Sequence, residues 1–144
     1  MRINDLPWLL AAFAELGVEE TPGPENTPRI SEYLLTVGQP ADDEIPWCAA
    51  FVNWCLKQCG LTGTGYANAR SYLEWGRTCS ALPGAIAVIP RGVEAWMGHV
   101  VIVAQVNADN TLYAVGGNHG KRVSLCVIPE NKVLGYRFPA EIIA

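Results

Sequence analysis

Three residues of this sequence have the types and the order for nucleophilic chemistry: Cys48, His99 and Asn118. A cysteine, a histidine and an asparagine can serve as nucleophile, base and orienter of the base. Cys48 lies in Pro46-Trp47-Cys48-Ala49-Ala50-Phe51-Val52-Asn53-Trp54-Cys55, which reads as a proline-started helix with the cysteine in its first turn. Proline suits that turn because its missing N–H would have no helical partner there. Phe51, Val52, Cys55, Leu56 and Cys59 recur at helical spacing as one buried stripe, and Gly60 supplies the stop. A thiol at such a point feels the positive end of the helix dipole, which favours thiolate. On an apolar helix a cysteine is ordinarily a small buried hydrophobe. The downstream residues turn the reading toward catalysis.

Gly98-His99 opens the apolar run Val100-Val101-Ile102-Val103-Ala104, and a strand is stiff enough to hold an imidazole within reach of a thiol. Gly116-Gly117-Asn118-His119 closes a second such run. The Asn118 oxygen suits an acceptor for a ring N–H of His99, which would fix the tautomer. On an extended backbone Asn118 and His119 point opposite ways, so only one of them can face His99, and Asn118 is preferred. An asparagine after two glycines is otherwise an ordinary turn residue. One oxyanion donor is the backbone N–H of Cys48, and a second is expected from the preceding loop. Trp47, beside Cys48, and Trp96, just before Gly98-His99, are placed to line a cleft, with 91–97 as one wall.

Stepping outward, the elements that must position these residues change character along the chain. Helices are expected over 5–16, 29–37 and 68–75 besides the Cys48 helix, with loops over 19–28 and 39–46. From Leu82 onward the period becomes that of strands, at 84–89, 99–106, 111–115, 122–128 and 133–138. Their connections are short, which favours an antiparallel meander. Helices first and about five strands afterwards is the α+β arrangement, with N-terminal helices packed on a C-terminal antiparallel sheet. No repeat or linker divides residues 1–144, so the chain reads as a single domain.

Composition excludes several classes. Half of the 144 residues are apolar and 17% are charged, as in a globular chain. The net charge of −4 and the lack of a Lys/Arg cluster argue against nucleic acid as a partner. The apolar run 6–13 is too short to span a bilayer and has no small-residue cleavage site, so no membrane partner and no signal peptide are expected, and the cytoplasm is the default place of synthesis. Five cysteines are an odd number, and reduced thiols are expected for Cys48, Cys55, Cys59, Cys79 and Cys126. No CxxC pair supports zinc. Asp42, Asp43 and Glu44 read as a solvated acidic loop rather than a calcium site, so no metal and no cofactor are expected.

The blocks Pro46–Cys55, Ala69-Arg70-Ser71-Tyr72-Leu73-Glu74-Trp75-Gly76, Pro83-Gly84-Ala85-Ile86-Ala87-Val88, Gly98-His99-Val100 and Gly116-Gly117-Asn118, in this order, resemble small phage and bacterial cell-wall hydrolases. These form the CHAP (cysteine, histidine-dependent amidohydrolase/peptidase) branch of the NlpC-like, papain-type superfamily, and the likeness runs from about Trp8 to Pro139. The resemblance implies a papain-like core with Cys48 as nucleophile, His99 as general base and Asn118 as third member. It implies peptidoglycan as substrate, cleaved at an amide. Related chains commonly carry glutamine after Gly-Gly-Asn. Here it is His119, which leaves open a role in substrate binding or in place of Asn118. Such a domain suits a phage endolysin released through a holin, or an exported antibacterial effector with an immunity protein as partner. The competing readings are a peptidoglycan-binding module of the same fold without the chemistry, and a cytosolic cysteine transferase.

Overall fold

The structure, a computed structural model, describes residues 3–21, 26–43 and 45–142. Residues 22–25 of the loop expected over 19–28, and Glu44 of the acidic triplet, lie outside the described residues. Three α-helices come first: α1 (Pro7–Ala14), α2 (Pro28–Leu35) and α3 (Cys48–Gln58). A 3-10 helix, Ala69–Glu74, follows where a fourth helix was expected. Prolines open α1 and α2, and Gly17 (φ 94°) and Gly38 (φ 69°) lie just past their ends. Both helices are shorter than their sequence periods, because their outer turns continue as turn rather than helix.

The strands are β1 (Arg77–Thr78), β2 (Ile86–Pro90), β3 (Gly98–Val106), β4 (Thr111–Gly116), β5 (Ser124–Pro129) and β6 (Gly135–Phe138). They form one antiparallel sheet in the order β1-β6-β2-β3-β4-β5. The α+β expectation holds, with helices followed by an antiparallel sheet. The meander is confined to β2 through β5. β6 returns to the far side of β2, and the two-residue β1 pairs beyond it. Arg122, expected within the fourth strand, makes only an isolated bridge to Glu19.

Helix α3 is the centre of the core. The sequence period gives it one buried stripe, yet every residue from Cys48 to Leu56 is buried. Helices α1 and α2 cover one side of it and β3 and β4 the other, so no face is left for water. On the helical side Tyr33 donates to Glu15 at 2.7 Å, and the Arg29 guanidinium pairs with the same carboxylate at 3.0 Å while lying over the Trp54 ring. Within α3, Asn53 donates to the Ala49 carbonyl and accepts from the Gly65 N–H, each at 2.8 Å, which fixes the following loop against the helix. Trp8 donates its indole N–H to the Gly84 carbonyl at 2.8 Å and so ties α1 to the approach to β2.

On the sheet side, contact with α3 requires the glycine pair that ends β4. A Cβ on Gly117 would lie 2.6 Å from Phe51 Cβ and 3.0 Å from the Trp47 ring. A Cβ on Gly116 would lie 2.9 Å from Val101 Cγ1 and 3.2 Å from His99 Nε2. Bare backbone is therefore what lets the end of β4 touch both the helix and the histidine strand. Gly117→Ala should destabilise the fold by about 1–3 kcal/mol through this overpacking, read by urea denaturation.

Candidate active site

Cys48 is the first residue of α3, and Trp47 occupies the N-cap position. Pro46 therefore stands just before the helix rather than in its first turn. This shift sends the side chain of Trp47 inward. It is fully buried, stacks on Tyr33 at 5.7 Å between centroids, and donates its indole N–H to Glu20 at 3.0 Å. Trp47 is thus a core residue and does not line the cleft, contrary to the sequence expectation.

Cys48 is only 3% exposed, and its thiol lies near the backbone N–H of Val100, the residue after His99. Burial pushes its pKa up, and the Val100 N–H, the Arg91 charge and the N–H groups of Ala49 and Cys48 draw it back only part of the way. The helix start does favour thiolate, as the sequence suggests, but desolvation outweighs it. The resting group is the neutral thiol.

His99, near the start of β3, is 5% exposed, and neither of its ring nitrogens has a hydrogen-bond partner. Burial first, then the charges of Arg91 and His119, lower its pKa from 6.5 to about 4. The imidazole is therefore neutral near pH 7. The bond expected from Asn118 to this ring is not formed. The chain does not continue extended past β4 but turns at Gly117, with Asn118 itself left-handed at φ 59°. His119 instead places its ring beside that of His99, 5.6 Å between centroids and tilted by 37°. Asn118 faces an adjacent cavity.

Two cavities meet at the site. One, of about 460 Å³, contains Cys48 and is bounded by Ile45, Pro46, Ala67, Arg91, Trp96 and Met97, with Gln39 and Asn68 also in its wall. Trp96, 70% exposed, stands where the sequence reading placed it, in the loop that walls the cleft. Arg70 pins that loop by donating to the Met97 carbonyl at 2.6 Å. The second cavity, of about 380 Å³, is bounded by Glu20, Pro46, Arg91, Asn118, Gly120 and Lys121. Pro46 and Arg91 belong to both walls. Arg91 was not singled out in the sequence. The signal was present, as the lone cation between the second strand and Gly98-His99.

All five cysteines are unbridged. Asp43 is buried rather than solvated, and its Oδ2 accepts the backbone N–H groups of Thr27 at 2.8 Å and Thr21 at 3.3 Å. It closes the loop between α1 and α2. Among the described residues no group of three His, Cys, Asp or Glu side chains is placed to hold a metal ion.

A buried cysteine on the first turn of a central helix, set against a histidine strand of an antiparallel sheet, defines a papain-like α+β domain. Residues 40–118, more than half of the chain, match the CHAP domain model, and the chain belongs to the CHAP domain family. Two solved structures share the fold. Ly7917, in a crystal structure with the hydrolyzing product of MDP, is 17% identical at a TM-score of 0.56, over 96% of this chain and 63% of that one. A wild type endolysin, LysIME-EF1, is 17% identical at a TM-score of 0.60, over 98% of this chain and 66% of that one. This chain thus spans less than two thirds of the length of Ly7917. No curated protein sequence is similar enough to count as a relative.

The lowered pKa of His99 has a consequence for stability. The unfolded chain binds a proton at this residue near pH 6.5, whereas the folded chain refuses it until about pH 4. The stability that His99 contributes is therefore present above pH 6.5 and lost as pH falls from 6.5 toward 4. Over that window the unfolding free energy of the wild type should fall further than that of His99→Gln, by on the order of 2–3 kcal/mol, measured by urea denaturation at a series of pH values.

Proposed function

We propose that this protein is a cysteine hydrolase that cleaves an amide of peptidoglycan, in the stem peptide or cross-bridge or between muramic acid and L-alanine. One observation carries the reading: Cys48 opens α3 near the N–H of Val100, the residue after His99, and the buried His99 ring has both nitrogens unpartnered. Membership of the CHAP family supports the substrate class, as does the fold shared with an endolysin and with Ly7917, whose crystal structure holds a hydrolysis product of MDP.

The chemistry starts from a neutral pair. As the amide carbonyl approaches, the Cys48 proton passes to His99 and the sulfur attacks the carbonyl carbon. The oxyanion is met by the Cys48 backbone N–H at the open end of α3. His99 then gives its proton to the leaving nitrogen as the C–N bond breaks, which leaves a thioester on Cys48. Water, deprotonated by His99, attacks the thioester, and the sulfur leaves with that proton. Asn118 is assigned as third member, orienting the His99 ring once substrate fills the site. His119 is its rival for that place, favoured by the ring contact with His99. Trp96 and Met97 hold the substrate from the apolar side.

A wall-binding module that lacks the chemistry is the competing reading, and the raised thiol pKa is the observation in its favour. In either a phage or an effector setting the protein reaches the wall from the cytoplasm, by holin-dependent release or by export, and the effector case adds an immunity protein as partner. No helix among the described residues is long and apolar enough to cross a membrane.

Purified peptidoglycan incubated with the wild type should release new amines and muropeptides resolved by mass spectrometry, and folded Cys48→Ala should release none. Equal release by both proteins excludes Cys48 as nucleophile. No release by either leaves the binding module. On an active substrate, loss of the true third member should lower kcat by about 10²-fold, so comparing Asn118→Ala with His119→Ala decides between the two.

A further inference from the structure

The two cavities beside Cys48 differ in character. The one holding Cys48 is walled mainly by apolar side chains, Ile45, Pro46, Trp96 and Met97 among them. The other brings two cations together, Arg91 and Lys121, in a chain whose net charge is −4. Among the described residues neither cation has a carboxylate partner. The carboxylate in the same wall, Glu20, is engaged with the Trp47 indole N–H. Arg91 lines both cavities, and its charge is felt at both Cys48 and His99. Lys121 is held toward the cleft by a turn in which Asn118 (φ 59°), Gly120 (φ 67°) and Lys121 (φ 63°) are all left-handed.

The geometry points to an anion subsite in this second cavity, formed by Arg91 and Lys121, that takes a free carboxylate on the substrate residue flanking the scissile amide. The inference rests on the hydrolase reading and specifies its substrate: an acidic peptide, such as a stem peptide whose D-glutamyl α-carboxylate is free rather than amidated. Two cations outnumber the one engaged carboxylate, so the cavity is locally positive. A guanidinium grips a carboxylate in a planar, two-bond contact. That contact fixes the amide in register over Cys48, and the apolar cavity takes the other side of the peptide.

Binding and cleavage test this separately. Two synthetic stem peptides, identical except for a D-glutamyl α-carboxylate or carboxamide, are titrated into folded Cys48→Ala by calorimetry. The same pair is then offered to the wild type for hydrolysis. The carboxylate form should bind roughly tenfold tighter, as expected for a charge-assisted contact. The preference should shrink with added salt and vanish when Arg91→Gln is added, with Lys121→Gln intermediate. Equal binding of the two peptides, binding of neither, or a preference that survives Arg91→Gln overturns the subsite. Selective binding with no cleavage by the wild type, either of these peptides or of purified peptidoglycan, supports the subsite and overturns the hydrolase reading.

Discussion

The first turn of α3 meets the ends of β3 and β4 with no side chain between them, because Gly116 and Gly117 present bare backbone to His99, Phe51 and Trp47. The rest of the site depends on this approach. It brings the Cys48 thiol near the Val100 N–H, and it buries the imidazole of His99, whose ring nitrogens have no hydrogen-bond partner. The helices behind α3 complete the constraint. Tyr33 packs against Trp47, Phe51 and Trp54, so the helix cannot retreat from the sheet without breaking a continuous aromatic core. A packed interior of this kind transmits small displacements instead of absorbing them.

The same burial sets the electrostatics. Desolvation raises the thiol and lowers the imidazole, so the resting pair is uncharged, and the helix start and Arg91 reduce this effect at Cys48 without reversing it. In the proposed reaction charge appears only as the sulfur attacks, when the open end of α3 and the guanidinium of Arg91 are already in place to meet it. Groups fixed in advance of the charge need no reorganisation in the transition state. A neutral ground state thus gains most from fixed donors around it.

Much of this was legible in the sequence. The period of the apolar residues marked α3 and most of β2 to β5, and Gly98-His99 and Gly116-Gly117 marked strand ends. What escaped were features set by long-range pairing or by single dihedrals. The two residues of β1 carry no period, and β6 finds its place beside β2 through partners far away in the chain. Trp47 lies inside because the helix starts at Cys48, two residues beyond the expected proline position, with Trp47 as its N-cap. Asn118 turns away from His99 because its φ is positive, which an asparagine after two glycines permits but does not require. Asp43 sits in an acidic triplet that reads as solvated, yet backbone N–H groups of a neighbouring loop hold it inside.

The assignment stands on Cys48 and His99 being one reactive pair, and a bifunctional alkylator tests that directly. With 1,3-dichloroacetone, the Cys48 sulfur displaces one chloride and the nearest nucleophile the other, leaving a covalent bridge readable by peptide mass spectrometry. The expected product joins the Cys48 peptide to the β3 peptide at His99. A bridge from Cys48 to His119, or single adducts at Cys48 with His99 unmodified, contradicts the pairing on which the site is built.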